Sequence, residues 1–232
     1  MTTRFHDRRD AGKYLAEKIK VYIKNNFTLE SKKDIFIVMA IPRGGVIIGD
    51  IIASELKINM DIIISKKIGA ENNPELAIGA IMADGSYILN EDIVNRINIS
   101  EEYIRTQIEI QKKEIERRLI EFKGKKEYHN NLKDKVIILV DDGIATGATI
   151  LAAVKWIKEK QHCKRLIVAV PVAPAESNIM DKLNQIADKV IVIFTPYDFA
   201  AVGQFYEHFD QVSDKEVKEI MNKYGFNSPQ VT

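Results

Sequence analysis

The sequence has few of the residues that build disulfide-linked or metal-binding proteins. Its 232 residues include a single cysteine, Cys163, which excludes both a disulfide framework and a cysteine-based zinc site. The spacing of the four histidines matches no metal-binding motif, and we expect each to be structural or exposed: His6, His129, His162 and His208.

An excess of charge of one sign is also missing. The 34 basic and 33 acidic residues leave a formal net charge of +1, so neither DNA nor an anionic membrane is indicated as a partner. The N-terminus has no apolar core of a signal peptide, and no apolar run approaches the length of a membrane span. The sequence predicts a cytoplasmic globular protein, with room for one α/β core and a small appended subdomain.

A strand followed by two acids is the most informative stretch that is present. Residues 136–140 form an unbroken apolar run, typical of a strand covered on both faces of a parallel sheet. Asp141 and Asp142 follow it, and a loop of Gly, Ala and Thr then leads into a predicted helix over 148–160. Loop amides and a helix N-terminus offer N–H donors to a phosphate.

The paired acids limit what such a phosphate can belong to. Two carboxylates repel a bare phosphate, so they favour a hydroxyl-rich or cationic neighbour, such as a ribose diol or Mg²⁺. A Walker A loop is excluded because no lysine precedes Thr149. The alternative is a plain turn with a helix N-cap, which would not require acids, glycines and threonines together.

The same order of elements occurs earlier in the chain. A predicted strand over 34–41 ends in Pro42-Arg43-Gly44-Gly45, and a helix over 46–56 follows. Arg43 supplies forked donors that suit phosphate oxygens, so a second anion site is implied. Because both loops would lie at the carboxyl ends of parallel strands, we expect them to face one crevice.

The remaining segments complete a repeated β-α-β pattern. It predicts an α/β fold with a mostly parallel twisted sheet and helices on both faces. We expect an irregular polar segment at 66–75, a β-hairpin around Asp84-Gly85 and an amphipathic helix over 100–122. The other predicted elements are helices over 4–26 and 175–187 and strands over 60–65, 166–170 and 190–194.

A known family shares the central loop. Residues 140–149, with the sequence VDDGIATGAT, resemble the phosphoribosyl-pyrophosphate (PRPP) signature of type I phosphoribosyltransferases. Most of the chain is similar to small prokaryotic predicted phosphoribosyltransferases whose substrate is not established. The resemblance implies one domain over 1–232, with an insertion at about 69–131 that carries a flexible loop, a hairpin and a long helix.

The resemblance also implies a reaction and the residues that serve it. The 5-phosphoribosyl group would pass from PRPP to a nitrogenous base with release of pyrophosphate, and Mg²⁺ would be held mainly by the substrate. Asp141 and Asp142 would hold the ribose diol and could also touch the metal. The 5′-phosphate would lie against Gly143, Ala145, Thr146, Gly147, Ala148 and Thr149. The pyrophosphate would lie against Arg43, Gly44, Gly45 and Lys66.

Lys67 is our choice for the catalytic lysine. It lies at the start of the polar segment 66–75, which is similar to the beginning of the family's flexible catalytic loop, and it would stabilise the leaving pyrophosphate. The plainer interpretation is that Lys66 and Lys67 are two solvated lysines at a strand end.

Several alternatives stay open at this stage. Ala145 stands where enzymes for 6-oxopurines usually carry an acid, so the loop is more similar to the adenine and orotate enzymes, and the acceptor base is undetermined. A PRPP-sensing regulator without catalysis is the second function, and a sugar-phosphate hydrolase is a weaker third.

The 100–122 helix would pack either on its own domain or on a second copy in a homodimer. The aromatic segment 195–209 would stack on a base or pack in the core.

Overall fold

A computed structural model describes residues 4–27, 35–125, 132–176 and 178–226. The strands are β1 (Phe36–Ala40), β2 (Asn59–Ile62), β3 (Ser65–Ala70), β4 (Asn73–Met82), β5 (Tyr87–Leu89), β6 (Val136–Val140), β7 (Arg165–Val172) and β8 (Lys189–Phe194). The α-helices are α1 (Arg8–Asn26), α2 (Gly44–Leu56), α3 (Glu91–Arg96), α4 (Glu101–Lys123), α5 (Ala148–Lys160), α6 (Asn178–Ile186) and α7 (Asp214–Lys223), and a 3-10 turn spans Val202–Phe205.

A five-stranded sheet forms the centre of the molecule, in the order β2-β1-β6-β7-β8, and all of its neighbouring strands are parallel. Alternate residues of β6 pack into two separate cores. Val136, Ile138 and Val140 face the core formed with α1, α2 and α7, while Ile137 and Leu139 face the core formed with α5 and α6. This arrangement confirms the predicted α/β fold with helices on both faces.

A second, three-stranded antiparallel sheet has the order β3-β4-β5. The predicted hairpin is present: the N–H of Met82 donates to the carbonyl of Ser86 at 2.8 Å, and Asp84 and Gly85 lie in the turn between them. The turn is also fixed from outside, because Trp156 Nε1 on α5 donates to Asp84 Oδ2 at 2.7 Å. The small sheet is therefore attached to the same helix that follows the acid pair.

The expectation of an irregular segment at 66–75 is wrong. Most of these residues lie in β3 and β4, which pair along their length, with two register shifts beside Gly69. A Cβ on Gly69 would stand 2.5 Å from the carbonyl oxygen of Pro74, so glycine allows a close approach of the two strands at the irregularity. The polar composition suggested a loop because it gave no signal of this bulged pairing.

Three predicted boundaries also differ from the structure. The first helix begins at Arg8 instead of residue 4, because the Asp7 side chain caps it and Phe5 is extended and bridged to Tyr206. The strand predicted over 60–65 ends at Ile62, and Ser65 already belongs to β3. The helix predicted over 175–187 is shorter, since the N–H of Ala175 is bonded to the carbonyl of Pro196, outside any helix.

The long helix α4 packs on its own domain, as one of the two interpretations predicted. Ile104, Ile115, Leu119 and Phe122 are buried in the core that also holds β3 and α7. In the described ranges, no helix is both long and apolar enough to cross a membrane.

A buried ion pair joins the end of α4 to the central sheet. Lys123 Nζ lies 2.8 Å from Asp61 Oδ2 on β2, and both side chains are almost completely shielded from solvent. The second carboxylate oxygen of Asp61 accepts from the N–H of Ile62 at 2.7 Å. Removing one member of such a pair leaves the other charge buried without its counter-ion, which is strongly destabilising.

We predict that Asp61→Ala lowers the free energy of unfolding by about 3 kcal/mol, because the Lys123 ammonium loses its buried counter-ion. Urea denaturation followed by circular dichroism measures the change. Adding Lys123→Met to Asp61→Ala should recover much of the loss. Glu55→Ala is the matched control, because it removes a partner from the exposed Lys20 and should leave the midpoint almost unchanged. Equal effects of the two single variants would contradict the prediction.

Candidate functional site

The two predicted anion loops lie side by side. They follow β1 and β6, which are neighbours in register, with Ala40 opposite Val140. The pairing continues one residue further, because the N–H of Ile41 donates to the carbonyl of Val140 at 3.0 Å. The residues that follow each strand therefore emerge together at the carboxyl edge of the sheet.

The first turn of α2 packs directly against the acid pair. A Cβ on Gly44 would stand 1.8 Å from Asp142 Oδ2, and one on Gly45 would stand 3.0 Å from the Cα of Asp141. Any larger residue at these two positions would displace the carboxylates or the strand behind them. The structure thus brings Gly44, Gly45, Asp141 and Asp142 into one compact group, with the glycines required by the close approach.

The loop after the acid pair presents its backbone to solvent. Ala145, Thr146 and Thr149 are exposed, and α5 begins at Ala148 without a side-chain cap. In the described part of the chain, the backbone N–H groups of residues 145–149 have no protein acceptor. A helix N-terminus with free N–H donors is suited to binding an anion.

Gly147 gives the loop its shape. Its φ of +74° lies in the left-handed region, and a Cβ there would stand 2.1 Å from the Ile179 side chain of α6. Both features favour glycine, the first through backbone conformation and the second through packing. The turn that aims the first amides of α5 outwards is therefore fixed by α6.

The two acids differ in environment. Asp141 is half-buried, and its Oδ1 accepts from the N–H of Asp142 at 2.8 Å. Burial raises the pKa of Asp141 well above its usual range, and the adjacent charge of Asp142 raises it further. Two close carboxylates of this kind resist ionising together, so the pair benefits from a nearby cation.

Arg8 on α1 supplies that cation, although no motif in the sequence singles it out. Arg8 Nε donates to Asp142 Oδ2 at 2.8 Å, and Arg8 Nη1 donates to the carbonyl of Asp210 at 2.8 Å. The guanidinium carbon lies 3.8 Å from the centre of the Phe209 ring. The first helix, predicted from the sequence over 4–26, thus contributes a charge to the site.

Tyr206 is the second residue that the sequence did not single out. Its hydroxyl donates to the main-chain carbonyl of Asp142 at 2.6 Å. Burial raises the pKa of Tyr206 above its usual value, and the charge of Asp142 adds to the effect, so the hydroxyl keeps its proton. The available signal was the aromatic character of segment 195–209, which contributes Phe205 and Tyr206 to the buried core.

Arg43 stands at the entrance to α2, as predicted. Its Nη1 lies 3.4 Å from Asp214 Oδ1, and both side chains are about one-third exposed. Asp214 is the first residue of α7, so the end of the chain that the structure describes also approaches this loop. The guanidinium is partly solvated and accessible to a ligand.

The two lysines at the start of β3 are turned in opposite directions by the strand. Lys66 Nζ lies 3.6 Å from Glu114 Oε1 on α4. Burial lowers the pKa of Lys66, and the nearby Arg118 lowers it further. Lys67 is exposed on the other face of β3. The structure directs Lys66 toward α4 and does not show it grouped with the acid pair.

A family model describes this arrangement. The model of the phosphoribosyl transferase domain matches residues 6–200, which include both loops and all five strands of the central sheet. The chain belongs to the phosphoribosyl transferase family. The family resemblance identified from residues 140–149 is thereby confirmed.

Relatives of this family member are found among curated proteins and solved structures. The chain is 34% identical over 219 residues to Rv0571c of Mycobacterium tuberculosis, whose name describes it as a predicted phosphoribosyl transferase. That alignment covers 94% of this chain and 46% of Rv0571c, so the chain spans about half the length of the curated relatives it matches. The structure of TT1426 from Thermus thermophilus is similar, with 32% identity, a TM-score of 0.78 and coverage of 96% and 99% of the two chains.

A shorter match involves a member with a named base. A stretch of 63 residues, 27% of this chain, is 35% identical to the uracil phosphoribosyltransferase of Mycoplasma genitalium, where it covers 31% of the protein. Such a short stretch supports the family and carries no conclusion about the base used by this phosphoribosyl transferase.

We predict that Gly147→Ala destabilises the protein more than Gly225→Ala. Both glycines have positive φ values, +74° and +83°, so both variants incur backbone strain of about 1 kcal/mol. Nothing lies within 4 Å of a Cβ on Gly225, whereas a Cβ on Gly147 meets Ile179. The extra cost of this overpacking should be about 1–3 kcal/mol in urea denaturation. Equal losses would mean that α6 does not fix the loop.

Proposed function

We propose that this protein transfers the 5-phosphoribosyl group from PRPP to a nitrogenous base and releases pyrophosphate. The observation that carries the proposal is the contact between the first turn of α2 and the acid pair after β6. Gly44 lies against Asp142, and Gly45 lies against Asp141, so an arginine-bearing loop and two carboxylates lie side by side at the carboxyl edge of the sheet. PRPP is a ligand with anionic groups at both ends and a diol between them, which matches this order of groups.

The acid pair and the loop after it would hold the phosphoribosyl part. Asp141 and Asp142 would accept hydrogen bonds from the ribose hydroxyls. The 5′-phosphate would lie at the N-terminus of α5, where the exposed Thr146 and Thr149 add hydroxyl donors to the free N–H groups. Gly147 supports this assignment because its conformation exposes those amides.

The loop after β1 would hold the pyrophosphate. Arg43 offers a partly exposed guanidinium, and Gly44 and Gly45 begin α2 without a side-chain cap. Lys66 and Lys67 at the start of β3 would add positive charge for the pyrophosphate, and Lys67 would be the lysine that stabilises it as it leaves.

Mg²⁺ fits this site as an ion carried by its substrate. In the ranges that the structure describes, no group of three or more His, Cys, Asp or Glu side chains could hold a metal. Asp141 and Asp142 are the oxygen ligands that the site itself offers, and phosphate oxygens and waters would complete the coordination. When bound, Mg²⁺ would neutralise part of the pyrophosphate charge.

In the proposed reaction, the bond between ribose C1 and the pyrophosphate oxygen breaks as a nitrogen of the base bonds to C1. The electron pair leaves with pyrophosphate, and positive charge develops on the sugar. The protein positions the reactants and stabilises the departing anion. We infer a cytoplasmic enzyme, with the acceptor base to be found by screening.

A PRPP sensor is the competing function, and it shares the ligand site. Both functions require PRPP to bind, and the enzyme alone requires pyrophosphate release in the presence of a base. Calorimetric titration with PRPP and Mg²⁺, followed by a pyrophosphate-release screen over purine and pyrimidine bases, separates them. Binding without release on any base would favour the sensor, and the absence of binding would reject both.

We predict that Asp141→Asn combined with Asp142→Asn raises the Kd for PRPP by about 100-fold or more, because an amide NH2 group replaces one acceptor oxygen of each side chain. Calorimetry measures the affinity, and circular dichroism checks the fold. The matched control is Glu101→Gln with Glu102→Gln, which neutralises two adjacent exposed acids at the start of α4. An undiminished affinity of the double Asp variant for PRPP would show that the acid pair is not part of the PRPP site.

We predict that Lys67→Ala lowers kcat by about 100-fold with little change in the Kd for PRPP, since the ammonium would meet charge that develops as pyrophosphate leaves. Single-turnover kinetics with whichever base supports release measures the step. Lys67→Arg should keep most of the rate, and Lys13→Ala, at an exposed lysine on α1, serves as the control. An unchanged rate would mean that Lys67 takes no part in the reaction and is an ordinary surface lysine.

A further inference from the structure

We propose that Arg8 is a positioning residue of the ribose site, which acts by holding the Asp142 carboxylate in the orientation that binds the diol. The inference rests on the proposed function, because it assigns a role within the same PRPP site. Arg8 precedes the acid pair by more than 130 residues and lies outside both phosphate loops. Only the folded structure shows that Arg8 contacts Asp142.

The geometry of the contact is suited to orienting a carboxylate without blocking it. Arg8 donates through Nε to Oδ2 of Asp142, a single oxygen, at 2.8 Å. The same oxygen lies against Gly44, where a Cβ would stand 1.8 Å away. One edge of the carboxylate is therefore enclosed by Arg8 and α2, and the other edge can turn toward a sugar hydroxyl.

The contact is shielded from solvent, unlike most surface ion pairs. The exposed fractions of the two side chains are 11% for Arg8 and 17% for Asp142. Exposed pairs contribute little because water and salt screen them, whereas a partly buried pair keeps much of its attraction. The pair also lies beside the half-buried Asp141, whose Oδ1 accepts from the N–H of Asp142 at 2.8 Å.

The guanidinium is itself held in place from the far end of the chain. Phe209 lies under it at 3.8 Å, and the carbonyl of Asp210 accepts from Nη1 at 2.8 Å. Tyr206, three residues earlier, bonds to the carbonyl of Asp142 at 2.6 Å. The segment 206–210 thus contacts both Arg8 and the acid it positions. A lysine lacks the planar fork with which Arg8 bonds Asp142 and Asp210 while it stacks on Phe209.

The test compares Arg8→Gln and Arg8→Lys with Arg9→Gln, which removes the same charge from an exposed neighbouring position on α1. Calorimetry measures the affinity of each protein for ribose 5-phosphate, for pyrophosphate with Mg²⁺ and for PRPP with Mg²⁺. In Arg8→Gln we expect the Kd for ribose 5-phosphate and for PRPP to rise by about tenfold or more, and the Kd for pyrophosphate to stay within about twofold. Arg8→Lys should restore part of the affinity, and Arg9→Gln should match the wild type.

Thermal unfolding of each variant separates positioning from stability. If Arg8→Gln does not fold, Phe209→Leu keeps the arginine and removes its aromatic support, and we expect the same selective loss of ribose 5-phosphate binding in a weaker form. An Arg8→Gln protein that binds ribose 5-phosphate like Arg9→Gln would overturn the inference. An equal loss for pyrophosphate would overturn it too, because Arg8 would then act at the other end of PRPP. A wild-type protein that binds none of the three ligands would refute the proposed function itself.

Discussion

The close approach of the α2 N-terminus to the acid pair is the constraint on which the rest of the site depends. It exists because β1 and β6 are adjacent and parallel, so the turns that follow them leave the sheet at the same edge. Gly44 and Gly45 allow the backbone of one turn to touch the carboxylates of the other. With side chains at those positions, the arginine-bearing loop and the two acids could not approach each other so closely.

This constraint brings the carboxylates of Asp141 and Asp142 close together. Arg8 and the segment 206–210, which lie far apart in the sequence, contact Asp142 and each other. The extended residues before α1 pair with the segment that begins at the last residue of the 3-10 turn: the N–H of Phe5 donates to the carbonyl of Phe205, and that of His208 donates to the carbonyl of His6, both at 2.9 Å. The pairing places Arg8 beside Phe209 and Asp142. A site built from central strands is thereby completed by segments about 200 residues apart in sequence.

The small sheet shows why residues 66–75 form strands although their composition predicts a loop. Residues 66–75 are rich in Lys, Glu and Asn and contain Gly and Pro, a composition that usually marks a loop. In the folded chain, β3 has β4 as an antiparallel partner and α4 packed against one face, and the bulge at Gly69 accommodates Pro74. These tertiary contacts stabilise the two strands although the local preference of the segment for a strand is weak. By contrast, the apolar runs of β1 and β6 needed no such help to be predicted.

The sequence by itself determined the parallel sheet, the two strand-loop-helix units and the family, because buried strands and the tight loops that follow them leave continuous apolar runs and clusters of small residues in the chain. It also located Asp141, Asp142 and the Arg43 loop, since each lies within a few residues of the strand that carries it. Only the tertiary structure decided that Arg8 and Tyr206 hold Asp142 and that Lys66 turns toward Glu114. Contacts of that kind join residues far apart in the chain, and no local pattern of side chains encodes which distant partner a charge will meet.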